Sequence, residues 1–203
     1  LLAPSWQALQ ALLCVLENGI IAIDMSCNTR KTVCMVFSLR QKRKVVSPHF
    51  PPLRLFGTDL LYVDNFKYLG HIIDNKLNDD ADIQREIRNL FTRANILTRR
   101  FSLCSLSVKV ALFKSYCISL YGCALWRNHT VSSLSKLRSC YHRCVKTFFG
   151  YKRHDSMTAV LFKLSIPSFN TLLHNSRCIL RSQTVNCINS LLQACCSRVA
   201  AII

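Results

Sequence analysis

An α+β fold is predicted, a helix with a small antiparallel sheet followed by an all-α helical bundle, and three observations predict it. An amphipathic helical stripe opens the chain. Short extended runs rich in β-branched and aromatic residues then continue as far as Asp74, and beyond it the apolar residues recur at helical spacing to the end. At 203 residues the chain can bury a sizeable core in one or two small domains.

Ser5 has the chemistry of an N-cap, although Ala8 at the third helical position excludes a reciprocal capping box. Trp6, Leu9, Leu12, Leu13 and Leu16 follow at helical spacing, and Gly19 predicts the end of that helix. Residues 32–39, rich in Val, Met and Phe, have the length of a buried strand. Residues 40–52 carry Lys42, Arg43, Lys44 and three prolines and read as an exposed loop. Extended runs are predicted at 53–56, 60–63 and 66–73, with Asp64-Asn65 supplying hairpin-turn chemistry between the last two.

Asp79, Asp80 and Asp82 open the next helix, where carboxylates suit the positive end of the macrodipole. Ile83, Ile87, Leu90, Ala94, Leu97 and Phe101 mark its buried face, and Arg85, Arg88, Thr92, Asn95 and Arg99 its opposite side. A helix over 107–126 is apolar nearly all round and is expected at the centre of the bundle. A third has Leu134, Leu137, Tyr141, Cys144 and Phe148 as its core stripe, with Lys136, Ser139, Arg143 and Lys146 facing away. Two basic edges of this kind would form a positive groove.

Charge narrows the function. Lys and Arg number 27 against 10 Asp and Glu, a net +17, far beyond what solubility needs, and a polyanionic partner is the leading inference. Residues 83–154 hold fourteen of the Lys and Arg and one acid, Glu86. Such a patch binds phosphates by releasing condensed counterions.

Twelve cysteines lie within apolar stretches without a Cys-x-x-Cys pair, which predicts reduced core thiols in a nuclear or cytoplasmic protein. Cys140 and Cys144, one turn apart around His142, fit no common zinc pattern. Residues 1–16 are apolar but lack a basic n-region and a cleavage site, and Lys109 and Lys114 argue against a membrane span at 108–126. No phosphate-binding glycine loop or nucleophile elbow occurs. The only dense acidic cluster, Asp79-Asp80-x-Asp82, reads as a helix start rather than a pair of metal-holding carboxylates.

Several ordered segments carry a resemblance: Leu1-Leu2-Ala3-Pro4-Ser5, then Asp24-Met25-Ser26-Cys27-Asn28-Thr29-Arg30-Lys31-Thr32, then Met35-Val36-Phe37, then Phe66-Lys67-Tyr68-Leu69-Gly70-His71-Ile72-Ile73. Together, from the first residue to about Lys163, they resemble the reverse transcriptase of non-LTR (LINE-type) retrotransposons. The resemblance implies a C-terminal palm remnant over 1–75 with motif D and a primer-grip hairpin, a helical thumb over 76–155 and a helical extension over 156–203. Lys31 of the Asn-x-x-Lys-Thr motif would stand near the incoming nucleotide's phosphates as a general acid toward pyrophosphate. Tyr68, Leu69 and Gly70 would form the hairpin that steadies the primer 3′ end, and Arg85, Arg88, Arg99, Lys136, Arg143 and Lys146 would track the duplex backbone.

The implied partners are an RNA template and a DNA primer, with no membrane. The family's Tyr-x-Asp-Asp pair lies upstream of the Leu-Leu-Ala-Pro-Ser segment and its fingers further still, so Mg²⁺ belongs to the intact parent. This fragment, with no cofactor of its own and no metal-ligating residues, is expected to be inactive as a polymerase by itself. The missing initiator Met agrees with a start inside a longer protein. Cys27 departs from the bulkier apolar residue usual in motif D. Without the resemblance, the residues alone describe a non-catalytic basic helical protein that binds nucleic acid.

Overall fold

The computed structural model describes residues 1–37 and 50–190. These form two compact units divided between Asn78 and Asp79. Mixed helix and short strands make up the first and helices the second, which is an α+β organisation.

In the first unit, α1 (Trp6–Ala22) begins as the sequence predicts, with the Ser5 side chain accepting from the Ala8 amide. It runs past Gly19 to Ala22, because a lone glycine costs only about 1 kcal/mol inside a helix that packs on one side. Leu13 is buried and Trp6, Leu9 and Leu16 are half-buried, while Leu12 is exposed. The Gln10 amide accepts from Arg54 N at 2.9 Å and donates to Arg54 O at 3.0 Å. Trp6 Nε1 donates to Pro51 O at 2.9 Å. Helix α1 is thus pinned to the 51–54 segment by polar ties as well as by a small core of Leu13, Cys34, Leu53, Leu55 and Leu60.

The strands are shorter than expected. β1 (Val33–Cys34) is two residues long and pairs in parallel with β4 (Leu61–Tyr62). Residues 35–37 are irregular, and the rest of the expected strand, with most of the expected loop over 40–52, lies outside the described residues. β2 (Arg54–Leu55) and β3 (Thr58–Asp59) make a minimal hairpin. The expected single run over 66–73 is instead two strands, β5 (Asn65–Tyr68) and β6 (His71–Asp74), paired antiparallel from Asn65↔Asp74 to Tyr68↔His71.

Both hairpins turn on two residues with positive φ, Phe56-Gly57 and Leu69-Gly70, the backbone of a type I′ turn. Asp64-Asn65 is not a turn. The Asp64 carbonyl accepts from Asn75 N at 2.8 Å and its carboxylate from Asn75 Nδ2 at 2.7 Å, closing the open end of the β5–β6 ladder.

In the second unit, α2 (Asp80–Arg100) and α4 (Val131–Phe149) pack most extensively on each other, with α3 (Leu106–Cys117), α5 (Met157–Leu164) and α6 (Phe169–Val185) around them. The predicted stripes of α2 and α4 are inside: Ile83, Leu90, Ala94, Leu97, Leu137, Tyr141, Cys144 and Phe148 are all buried. Gly150 takes φ +76 as the C-cap of α4, and its amide reaches back to the Lys146 and Thr147 carbonyls.

One expectation fails in this unit. The helix expected over 107–126 ends at Cys117, and it is peripheral: only Phe113 and Cys117 are buried, while Leu106, Val108 and Tyr116 are exposed. After it the chain passes through left-handed Gly122 into a short 3₁₀ turn at Cys123–Leu125. From residue 156 onward the described chain is helical, and Val160, Leu164, Phe169 and Leu172 belong to the same core as α2 and α4. Residues 191–203 lie outside the description.

Candidate nucleic-acid interface

The spacing of the Asn28-x-x-Lys31-Thr32 motif has a local mechanical reason. Asn28 caps a 3₁₀ turn, Thr29–Lys31, its side chain accepting from the Lys31 amide at 3.2 Å. The Thr32 hydroxyl donates back to the Asn28 carbonyl at 2.9 Å. The two polar ends of the motif therefore lock one another, and Lys31 between them is left exposed.

Lys31 shares a cavity of about 460 Å³ with Tyr68. Leu9, Leu13 and Leu16 of α1 line it, with Val33 and Cys34 of β1. Phe66, Tyr68 and Ile73 close it from the β5–β6 hairpin. All four residues of β5 are exposed, and the tip presents Tyr68 and Leu69 at 57% and 72% exposure. An aromatic held on an exposed two-stranded ribbon can stack on a base or pack on a sugar. Leu69 and Gly70 sit at the turn rather than on the cavity. Lys31 and Tyr68 come together at the cavity without sharing a sheet, because β1 pairs with β4 and β5 with β6.

Of the six cations expected to track a duplex, all lie in the second unit, and four are exposed on its surface. Arg88 and Arg99 are exposed on α2, and Lys136 and Arg143 on α4. The Arg143 guanidinium sits 5.9 Å from the centre of the Phe91 ring. Lys136 and Arg143 line one groove of about 500 Å³ between α2 and α4, whose basic residues come from α4 alone, since Arg88 and Arg99 do not reach it.

Arg85 and Lys146 are corrected. Arg85 is buried at 8% exposure, not on a solvent-facing edge. It donates to Asp82 at 2.6 and 3.2 Å, to Glu86 at 3.2 Å and to the Tyr121 carbonyl. Burial works against its charge, but the hydrogen bonds and charges of Asp82 and Glu86 outweigh it and its pKa is raised. Lys146 is half-buried and gives its ammonium to the Arg153 and Asp155 carbonyls at 2.8 and 2.7 Å, fastening the loop after α4.

The acidic cluster opens α2 as expected, yet its side chains are spent on tertiary ties. Asp79 makes no side-chain cap bond; its carboxylate accepts from the Arg127 and Asn128 amides at 2.7 and 2.8 Å. Asp80 accepts from Thr130 N at 2.9 Å, and Asp82 from Trp126 Nε1 at 2.8 Å. Glu86, fully buried, bridges Arg85 and Arg93. This carboxylate network was missed by sequence reasoning; the one signal available was the lone acid of a basic stretch, set beside an arginine.

Cys140 and Cys144 are both buried and free. A hydrogen bond between the thiols lowers the pKa of Cys140 and raises that of Cys144. Among the described residues no group of three His, Cys, Asp or Glu is placed to hold a metal ion. Among them, too, no helix is long and apolar enough to cross a membrane. Comparison with protein-family models, curated proteins and solved structures finds no match.

Proposed function

We propose that this chain is the primer-holding part of an RNA-directed DNA polymerase of the non-LTR retrotransposon type. Its first unit would be the C-terminal portion of a palm and its second a helical thumb. One observation supports the reading above the others: a capped turn carrying Lys31 and a hairpin carrying Tyr68, more than thirty residues apart in sequence, converge on one cavity. In this reading Lys31 faces the phosphates of an incoming nucleotide and Tyr68 packs against the terminal sugar of the primer. The exposed cations of α2 and α4 hold the template–primer backbone. The metal-holding carboxylates of such a polymerase match no residue of this sequence, so strand holding is the activity proposed for it.

A second reading has its own support. Arg88, Arg99, Lys136 and Arg143 would bind any polyanion, a nucleic acid or an acidic protein surface alike, with no polymerase ancestry required. Competition binding separates the two. The polymerase reading predicts that a DNA primer annealed to an RNA template outcompetes an acidic polypeptide of equal charge by at least about a hundredfold in 0.15 M salt, near physiological ionic strength. It also predicts that Tyr68→Ala weakens binding of the primed template about tenfold, the loss of one stacking contact. Equal competition by the polypeptide, with Tyr68→Ala silent, would leave the generic binder.

A further inference from the structure

The groove between α2 and α4 carries more than charge. Ser132, Ser135 and Ser139 lie along the α4 wall with Lys136 and Arg143, and Gln84 faces them from α2. The first and last of the three serines lie seven residues apart, about 10 Å along the helix axis. No carboxylate lines the groove, and Ile87 and Phe91 form part of its floor.

The three hydroxyls are exposed and are not spent on the helix itself. Helical Ser and Thr commonly donate to the carbonyl four residues back. Thr92, Thr98, Ser115 and Thr184 do so here, at 2.9 to 3.0 Å. Among the described residues, Ser132, Ser135 and Ser139 make no such bond, and neither they nor Gln84 form another side-chain hydrogen bond. Three hydroxyls and an amide are thus kept available, flanked by two cations.

We propose that this groove takes the ribose-phosphate backbone of an RNA strand, its serine hydroxyls pairing with 2′-hydroxyls while Lys136 and Arg143 hold the neighbouring phosphates. The inference rests on the reading of this chain as a holder of nucleic acid and adds which strand its second unit recognises. A serine hydroxyl both donates and accepts, as a 2′-hydroxyl does, so the pairing needs no base and reads no sequence. Phosphate contacts alone would bind DNA equally well. The apolar floor offers Ile87 and Phe91 to the C–H edges of the sugar.

The test uses the whole chain and fluorescence anisotropy with three labelled duplexes of one sequence. They are an RNA–DNA hybrid, the same hybrid with 2′-fluoro in place of 2′-hydroxyl, and a DNA duplex. The fluoro strand keeps the A-form shape and removes the hydroxyl. The hybrid is expected to bind about tenfold more tightly than its fluoro counterpart, a difference of about 1.4 kcal/mol. In a Ser135→Ala/Ser139→Ala variant that preference should vanish while DNA affinity stays within about twofold. Equal binding of hydroxyl and fluoro hybrids, or a preference that survives the double substitution, overturns the proposal and leaves the strand-holding function standing. Failure to bind any of the three duplexes overturns both.

Discussion

Glu86→Ala is expected to destabilise the second unit by about 3 to 5 kcal/mol, the loss typical when one partner of a buried ion pair is removed. Glu86 is fully buried and is the one carboxylate joined to both Arg85 and Arg93. Its removal would leave Arg93 without its carboxylate and Arg85 with Asp82 as its one remaining carboxylate partner, and Arg93 Nε already lacks a partner. The same network holds α2 to the segment after α3, through Arg85 on the Tyr121 carbonyl and Trp126 on Asp82, so the damage should spread beyond the substituted side chain. Urea unfolding followed by tryptophan fluorescence measures the effect, since Trp126 is buried in this network. Glu86→Gln, which keeps the size and one acceptor, should cost less. A loss below about 1 kcal/mol for the alanine variant would mean that the network is solvated, as a surface ion pair is.

Replacing Arg88, Arg99, Lys136 and Arg143 together by Gln is expected to reduce affinity for a primed RNA template on the order of a thousandfold at 0.1 M salt. It should also flatten the dependence of log affinity on log salt by about 3 to 4, close to one unit for each lost phosphate contact. All four side chains are exposed, so the fold should be retained. Arg85→Gln and Lys146→Gln make the contrast. Their charges are committed to carboxylates and to loop carbonyls within the protein, so they should lower stability and leave the salt slope unchanged. Binding over a series of salt concentrations, with thermal melts in parallel, distinguishes the two sets. An unchanged slope in the fourfold variant would place the nucleic acid elsewhere on the molecule.

The difference between these sets marks what the sequence could tell. Helical periodicity located α2 and α4 and their buried faces, because a stripe such as Ile83, Leu90, Ala94 and Leu97 is a local property of the chain. Ser5 capped as its chemistry required. Arg85 was misplaced because the start of α2, at Asp82 and Arg85, is covered by residues 121–126, brought there by tertiary packing that no local pattern encodes, while Arg88 and Arg99 further along stay exposed.

The helix over 107–126 was overextended for a related reason. An apolar composition does not say how many sides a helix buries, and the helix stops at Cys117, before left-handed Gly122 opens a separate 3₁₀ turn. In the first unit, Leu69-Gly70 was recognised as a hairpin tip only through the family resemblance. A leucine at positive φ carries no turn signal of its own, whereas Asp64-Asn65 carries a strong one and is used to close a ladder. Lys31 and Tyr68 could each be named from their motifs, but the cavity that joins them depends on α1 and β1 and could not.

The most direct measurement is photocrosslinking from the primer terminus. A DNA primer ending in a photoreactive nucleotide is annealed to an RNA template, irradiated with the whole chain, and the modified peptides are mapped by mass spectrometry. The account predicts adducts within residues 65–74 and 28–32, lost when the reactive group is moved to the primer's 5′ end. Adducts confined to the helices of the second unit, or a pattern indifferent to which end carries the group, would contradict it.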